Sequence, residues 1–295
     1  MTAASSASSA SAASSASLTA GTDWAQFRPG TDGGVTLMQA HFTEHAFERH
    51  SHDTYSIGLT LSGVQTFNCR GAWHASQPGD VLLFNPDEPH DGSRGTDEGF
   101  GYAILYVEPE MVRSCFDSSA GTAASEYFRS PLVHDPQAAR CLHQAIAALA
   151  QPQESLRADE LIGAALTGLF LRYGETPMQQ TGCIDAGLAR MQRVRAYIDA
   201  HFAEDLTVAA LAQQAGLSRV HLTRAFSRCF GVPPHIYLNR VRLAFARRAI
   251  RSGQTLVEVA LAAGFADQSH FNRRFKGSVG VSPGVWLAQM GGVAS

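Results

Sequence analysis

Two stretches of sequence decide the fold of the C-terminal part of the chain: residues 211–228 read LAQQAGLSRVHLTRAFSR, and residues 259–276 read VALAAGFADQSHFNRRFK. Their Ala-x-x-x-Gly turns match at an offset of 48 residues, and the helices that follow match at an offset of 49. Each copy predicts a short helix, a turn at Gly216 or Gly264, and a second helix that begins at an N-cap residue, Ser218 or Asp267. Such a unit is a helix-turn-helix, and the chain contains it twice.

In the second helix of each copy, apolar residues recur on one side and polar residues on the other. The inward side is expected to contain Leu222 and Phe226 in the first copy, with Phe271 and Phe275 in the second. Arginine can bind guanine, asparagine can bind adenine, and serine, threonine and lysine can hold phosphates, so the outer side suits the major groove of DNA. The residues that we predict to contact DNA are Arg219, Val220, Thr223, Arg224, Ser269, His270, Asn272, Arg273 and Lys276.

The charge of the chain supports this interpretation because it is divided unevenly. Residues 184–295 contain 14 Lys and Arg against 6 Asp and Glu, a formal charge of +8, whereas residues 1–183 carry −11. A solvated helix face is the ordinary explanation for one isolated amphipathic helix. A duplicated turn motif on a basic module favours DNA binding instead.

Residues 188–288 resemble the DNA-binding domain of the AraC/XylS family of bacterial transcription regulators. The matching stretches are LTVAALAQQAG (206–216), LSRVHLTRAF (217–226), YLNRVRLAFARRA (237–249), VALAAGFADQSHFNRRFK (259–276) and GVSP (280–283). The resemblance implies that the bases are read by Val220, Thr223 and Arg224 from the first unit and by Ser269, His270, Asn272 and Arg273 from the second. The family usually has a charged residue where this chain has Phe245, so this ring is expected to be buried or to contact the other domain.

A single helix, predicted over residues 236–250, joins the two units. Tyr237, Val241, Ala244 and Ile250 are expected near one face of it, and its arginines elsewhere. Because one rigid helix connects both units within one chain, we predict that the two reading helices enter successive major grooves, about 34 Å apart.

The N-terminal half predicts a different fold. Residues 35–107 alternate in short apolar and polar steps between turns, as in YSIGLTLSG (55–63) and GDVLLFNP (79–86), which is typical of a small all-β barrel. This region resembles the cupin-like effector domain that is common at the N-terminus of the same family. The resemblance depends on HSHD (50–53) and QPGDVLLFNPDEPH (77–90).

The histidines of these two motifs allow two interpretations. An H-x-H pair plus a distant histidine is how metal-binding cupins assemble three ligands, but the carboxylate that usually follows is absent because Tyr55 and Ser56 occupy its place. The favoured interpretation is therefore a pocket for a small organic effector, without a metal or other cofactor, and a metal site is the alternative. The residues predicted to line the pocket are His50, His52, Tyr55, Phe84 and His90.

The remaining segments complete a multi-domain chain of α and β structure. Residues 1–20, of which 16 are Ser or Ala, are expected to be a disordered tail before a cupin-like β-barrel at 21–135. Helical periodicity, with Leu142, His143, Leu166 and Phe170 among its apolar-face positions, predicts a segment at 136–175 that dimerises. Residues that break helices and strands predict a linker at 176–187. The double helix-turn-helix is expected at 188–290.

Several classes of protein are disfavoured. No apolar run approaches the roughly 20 residues of a membrane-spanning helix, and the N-terminus lacks a basic start, so we expect a cytoplasmic protein without a membrane partner. Five scattered cysteines fit a reducing compartment and are expected to be buried. No nucleophile motif or phosphate-binding loop supports an enzyme.

The sequence thus predicts an effector-responsive transcriptional regulator, with activation as the favoured effect. Its expected partners are promoter DNA, a small organic effector, RNA polymerase and a second copy of the chain as a homodimer. Two alternatives remain open: a metal-dependent cupin enzyme fused to a DNA-binding module, and a regulator that responds to no ligand.

Overall fold

The computed structural model describes residues 23–30, 33–117, 126–175 and 185–290. The expected tail at 1–20 and most of the expected linker at 176–187 lie outside these ranges. Within them, a β-rich part, a pair of helices and a helical part follow one another in the predicted order.

The β-rich part consists of two antiparallel sheets. Its strands are β1 (Trp24–Pro29), β2 (Val35–Phe42), β3 (Phe47–His50), β4 (Tyr55–Gly63), β5 (Gln65–Cys69), β6 (Ala72–Ser76), β7 (Val81–Phe84), β8 (His90–Arg94), β9 (Phe100–Val107) and β10 (Leu132–Val133). The larger sheet has the order β1-β2-β9-β4-β7-β10, and the smaller sheet has the order β3-β8-β5-β6. The two sheets face each other, since Phe67 of β5 packs edge-on against Phe84 of β7 with ring centroids 5.2 Å apart. This confirms the predicted cupin-like barrel.

Strand β4 shows how the register separates the two faces of the larger sheet. Tyr55 and Ile57 belong to an apolar cluster outside the barrel, because alternate residues of a strand point to opposite sides. Ser56, between them, lies opposite Phe84 of β7 and Tyr106 of β9, on the inner side. Both faces are covered, so small and apolar residues continue through the strand.

Helices cover the outer face of the larger sheet. They are α1 (Pro109–Asp117), α2 (Pro136–Leu149) and α3 (Ser155–Tyr173). Helix α2 begins where the Asp135 carboxylate accepts hydrogen bonds from two backbone N–H groups. Leu142, Leu166 and Phe170, which were predicted on the apolar faces of these helices, are buried in one cluster with residues of β4. The expectation that His143 shares this apolar face is wrong, since it is exposed.

The predicted burial of the cysteines holds for only part of the set. Cys69 is buried, Cys115 and Cys229 are half-buried, and Cys141 is exposed on α2. Cys183 lies outside the described residues.

Seven helices form the C-terminal part of the described chain: α4 (Asp185–His201), α5 (Val208–Gln214), α6 (Arg219–Phe230), α7 (Pro234–Arg251), α8 (Leu256–Ala262), α9 (Gln268–Val279) and α10 (Pro283–Met290). The predicted caps are present: the Ser218 hydroxyl accepts from the N–H of His221 at 3.3 Å, and the Asp267 carboxylate accepts from the N–H of His270 at 2.7 Å. These helices confirm the double helix-turn-helix.

The turn before α9 requires glycine. Gly264 has a φ of +78°, and a Cβ at this position would lie 2.6 Å from the carbonyl oxygen of Ala203. Gly216, at the matching turn, also has a positive φ of +63° but meets no atom within 4 Å. The two copies are therefore similar in backbone and different in packing.

Helix α7 is shared by two apolar cores. Tyr237 and Leu238 near its start pack with α4, α5 and α6. Ala246 and Ile250 near its end pack with α8, α9 and α10. Phe245 is half-buried against Phe202, with ring centroids 5.1 Å apart, so this ring extends the core of its own domain.

The barrel and the second helix-turn-helix pack together. Phe42 of β2 and Phe47 of β3 belong to the same apolar cluster as Phe275 and Val279 of α9. The side chain of Gln289 in α10 accepts from the N–H of Phe27 and donates to the carbonyl of Ala25, each at 3.0 Å, and so covers the edge strand β1. Among the described residues, no helix has the length and apolar character needed to cross a membrane.

Candidate functional site

The first reading helix is α6. Arg219, Val220 and Arg224 are exposed on it, while Leu222 and Phe226 are buried as predicted. Thr223 is half-buried, and its hydroxyl donates to the carbonyl of Arg219 at 2.9 Å. Arg219 and Arg224 are thus predicted DNA-contacting residues of this helix that expose a guanidinium able to bind a guanine edge.

The second reading helix, α9, presents fewer free side chains than predicted. Ser269, Arg273 and Lys276 are exposed. His270 is half-buried with its ring edge-on to Phe265, and burial lowers its pKa. Asn272 is half-buried, and its side-chain oxygen is buried without a hydrogen-bond partner among the described residues. In this arrangement the amide oxygen is not accessible to an adenine edge.

Sequence reasoning missed two exposed side chains of α6. His221 lies in the first turn of the helix and Arg228 in the last, and both are exposed. Their distance from the apolar positions Leu222 and Phe226 on a helical wheel could have indicated this. Both belong to the surface that the first unit presents to solvent.

Acidic residues of the barrel bind arginines of the DNA-binding part, and we call these contacts the interdomain ion pairs. Arg247 of α7 binds Asp53 at 2.8 Å, and Arg274 of α9 binds Glu48 at 2.8 Å. Arg240 of α7 binds Asp87. Three arginines that contribute to the basic charge of the C-terminal part therefore bind carboxylates of the barrel.

Asp87 is held toward α7 by its backbone. Its φ is +64°, and its N–H donates to the carbonyl of His52 at 2.7 Å. Arg195 of α4 lies 3.5 Å from the same carboxylate. Burial raises the pKa of Asp87 although Arg240 and Arg195 oppose this effect. Burial also acts to raise the pKa of Asp53, but Arg247 and neighbouring charges bring it below its usual value.

One arginine of the linking helix, α7, is buried rather than exposed to DNA or a ligand. Arg242 is buried and donates to the carbonyls of Phe202 and Glu204, each at 2.8 Å. It joins α7 to the segment between α4 and α5. Arg248 and Arg251 remain exposed.

A cavity of about 210 Å³ lies between the two domains. Its barrel side includes His52, Asp53 and Tyr106, and its helical side includes Arg247. The other lining residues that matter for ligand chemistry are the apolar Phe27, Trp286 and Met290 and the basic Arg248 and Arg251. A molecule in this cavity would touch both domains at once.

The three histidines predicted to share a pocket do converge. The ring centroids of His50 and His52 are 4.8 Å apart, those of His50 and His90 are 4.7 Å apart, and those of His52 and His90 are 5.4 Å apart. Burial, aided by the charge of His90, lowers the pKa of His50 to about 3. Burial also lowers the pKa of His90 to about 4 and that of His52 well below its usual value. All three imidazoles are therefore neutral at pH 7.

Of the two aromatic residues predicted beside them, the structure brings only one to the cluster. Phe84 stacks on His90 with centroids 4.1 Å apart. Tyr55 lies on the opposite face of β4, where its hydroxyl donates to the carbonyl of Glu126 at 2.6 Å and its ring packs against Phe170. The register of β4 places Tyr106 of the neighbouring strand on the inner side instead.

Comparison with known proteins agrees with this architecture. Residues 32–166 match the AraC-like ligand binding domain, and residues 211–289 match a helix-turn-helix domain. A curated activator from Escherichia fergusonii, RhaS, is 38% identical over 263 residues, which cover 87% of this chain and 93% of that protein. The chain belongs to the AraC/XylS family of transcriptional regulators.

Two further comparisons show lower sequence identity. YbfI of Bacillus subtilis, described as an uncharacterised transcriptional regulator, is 26% identical over 224 residues, 76% of this chain and 81% of its own. The fold of ToxT from Vibrio cholerae, in a crystal structure with a bound unsaturated fatty acid, matches 88% of this chain and 96% of that chain, with a TM-score of 0.57 and 15% identity. The latter likeness concerns the fold, and it extends over both domains.

Proposed function

We propose that this AraC/XylS-family regulator is an effector-responsive activator in which the barrel restrains the DNA-binding domain until a small organic molecule binds. The observation that carries the proposal is the set of interdomain ion pairs. In one of these pairs, the arginine that binds Glu48 is Arg274 of the second reading helix, α9. A carboxylate there would oppose the approach of DNA phosphates to α9.

The interdomain cavity supports a ligand that shifts this arrangement. Because its lining comes from both domains, a molecule bound in it favours one relative position over another. Arg248 and Arg251 in the lining are exposed, and Phe27, Trp286 and Met290 supply apolar surface. An effector with an anionic group and an apolar body fits this combination. The fatty acid named in the ToxT structure has the same general chemistry.

Activation is favoured because RhaS is named as an activator. The proposal includes recruitment of RNA polymerase at the bound promoter and assigns no catalytic reaction to the chain. It also includes a homodimer formed through the helices beside the barrel, since Leu156 and Leu171 of α3 are 73% and 59% exposed. Light scattering of the full chain measures the dimer directly.

Two steps test the proposed function. Genome-wide mapping of bound DNA first identifies promoters and the genes beside them. Small carboxylic acids and sugars that those genes process are then added to the full chain while its affinity for the mapped DNA is measured by fluorescence anisotropy. Arg251→Ala should weaken the response to the active compound, and the matched surface variant Arg190→Ala on α4 should leave the response unchanged.

Each negative result has a definite meaning. An absence of promoter binding would refute the assignment as a regulator of transcription. Specific DNA binding that no compound alters would establish the ligand-independent alternative. A compound that acts equally on wild type and Arg251→Ala would place the effector outside the interdomain cavity.

A further inference from the structure

Two of the three clustered histidines have their tautomers fixed by backbone carbonyls. Nδ1 of His50 lies 2.6 Å from the carbonyl oxygen of Glu48, and Nδ1 of His90 lies 2.9 Å from that of Glu88. A carbonyl oxygen only accepts, so both Nδ1 atoms carry the proton and donate it. Nε2 of each ring is left with a lone pair. Carbonyls orient metal-ligating histidines in the same way in known metal sites.

The remaining nitrogens are close enough to share one ion. His50 and His90 are neighbours because they lie directly opposite each other across β3 and β8. Nε2 of His52 lies 3.1 Å from Nε2 of His50, and one nitrogen from each of the three rings lies within 4.8 Å of the others. Two nitrogens bound to one tetrahedral zinc ion, each at about 2.05 Å, are about 3.3 Å apart. The His50 and His52 nitrogens already have nearly this separation, and a pair at the 4.8 Å limit would have to close by about 1.5 Å when the ion binds.

The surroundings hold these rings in place before any ion arrives. Phe84 stacks on His90, and Tyr106 lies edge-on to His52 with centroids 5.0 Å apart. The cluster, as found among the described residues, offers three neutral imidazole nitrogens. Calcium and magnesium prefer oxygen ligands, whereas imidazole nitrogen suits zinc and the later divalent transition metals. The donor set thus selects the chemical class of the ion.

The cluster also lies beside an interdomain ion pair. Asp53 follows His52 in the chain and binds Arg247 of α7 at 2.8 Å. Arg247 lines the cavity that contains His52 and, on its other side, the groove that contains His50. A divalent cation held by the histidines would attract Asp53 and repel Arg247.

We propose that His50, His52 and His90 bind one divalent ion of the zinc type, and that this ion weakens the contact between Arg247 and Asp53. The second half of the proposal rests on the proposed function, because it connects the ion to DNA binding through the interdomain ion pairs. The ion replaces the hydrogen shared by His50 and His52, so the ring proton of His52 moves from Nε2 to Nδ1 and the imidazole stays neutral. The sequence interpretation favoured a metal-free organic pocket, since it could not show the fixed tautomers.

Metal binding is tested with the untagged full chain. Apoprotein is titrated with Zn²⁺ by calorimetry and with Co²⁺ by visible absorption, and bound metal is counted by elemental analysis after dialysis. We expect one ion per chain and a Co²⁺ spectrum typical of nitrogen ligation. His50→Gln, His52→Gln and His90→Gln should each lower the affinity by about 100-fold or more. His143→Gln, an exposed histidine on α2, is the matched control and should bind as wild type does.

Circular dichroism of each variant shows that it is folded, and the Co²⁺ spectrum of the wild type tests the site without any substitution. Failure of the wild-type chain to retain either ion, or equal binding by the three variants and the control, would overturn the site. Zn²⁺ should also raise the affinity of wild type for its mapped promoter DNA, and Arg247→Ala should bind Zn²⁺ but lose this effect. Stoichiometric Zn²⁺ without any change in DNA affinity would refute the coupling. The response to organic effectors, measured at saturating Zn²⁺ and in chelator, tests the proposed function separately.

Discussion

Neutralising the barrel carboxylates should release the DNA-binding domain without touching any residue that binds DNA. The perturbation is the triple variant Glu48→Gln, Asp53→Asn and Asp87→Asn, which removes the acidic partner from all three interdomain ion pairs. The side chains involved range from 11% exposed for Arg240 to 58% exposed for Glu48. Half-exposed pairs of this kind contribute about 0.2–1 kcal/mol each.

The expected magnitude follows from these three contacts. Together they stabilise the closed arrangement by about 0.6–3 kcal/mol, which corresponds to a shift of roughly 3-fold to 150-fold in the ratio of open to closed chains. DNA affinity in the absence of effector should rise by up to that factor and stop rising once most chains are open. The shared apolar core of barrel and second helix-turn-helix resists opening, so the smaller end of the range is the safer expectation.

The assay compares the triple variant with a matched control. Removing three negative charges would by itself favour DNA, so Asp97→Asn, Glu98→Gln and Glu110→Gln, at exposed positions of the barrel and α1, change the net charge equally. Anisotropy at several salt concentrations measures affinity, and small-angle X-ray scattering measures the separation of the domains. If both triple variants gain the same affinity and neither expands, the interdomain ion pairs do not restrain the DNA-binding domain.

Three further expectations follow from single sites. Arg224→Ala and Arg273→Ala should each lose about 1–3 kcal/mol of binding to specific DNA and much less to random DNA, whereas equal losses on both would make these arginines phosphate contacts. Gly264→Ala should lower the melting temperature more than Gly216→Ala does. Both substitutions place a side chain at a positive φ, but only the one at Gly264 also brings a Cβ against a backbone carbonyl. Equal melting temperatures of the two variants would refute this explanation. In chelator, stability to urea should fall as the pH drops from about 6.5 toward about 4, because His90 takes up a proton in the unfolded chain but not when it is buried, with its pKa lowered to about 4. Buried His50 and His52 add to this slope in the same sense, so His90→Gln should reduce it without abolishing it, and an unchanged slope would contradict the cause.

Much of the C-terminal domain was predictable because its signals are local. Ser218 and Asp267 are N-caps in the structure as in the sequence, and Gly216 and Gly264 have the positive φ that their turns require. A cap acts within three residues and a turn glycine within one peptide unit, so neither depends on the rest of the fold. The same holds for the apolar faces of α6 and α9, which follow from helical period alone.

The candidate sites were less predictable where they depend on which face of a strand a residue occupies. Tyr55 is two residues from Ile57 in the sequence and shares its face, so it packs outside the barrel against Phe170 rather than beside the histidines. A shift of one residue in register would have reversed this, and the motif HSHD does not specify the register of the strand after it. Asn272 illustrates a similar limit on α9, since neighbouring packing buries its oxygen.

The sequence by itself determined a β-barrel followed by two helix-turn-helix units, with a basic surface and three histidines in two short motifs. Only the tertiary structure decided which arginines are free, because Asp53 and Arg247 are 194 residues apart in the chain and Glu48 and Arg274 are 226 apart. Hydrophobic periodicity and charge patterns predict the local structure and the surface of each segment by itself. Ion pairs across such separations, and the convergence of His50 with His90, exist only because two strands pair and two domains pack, and that packing is a sum over many contacts that no single motif encodes.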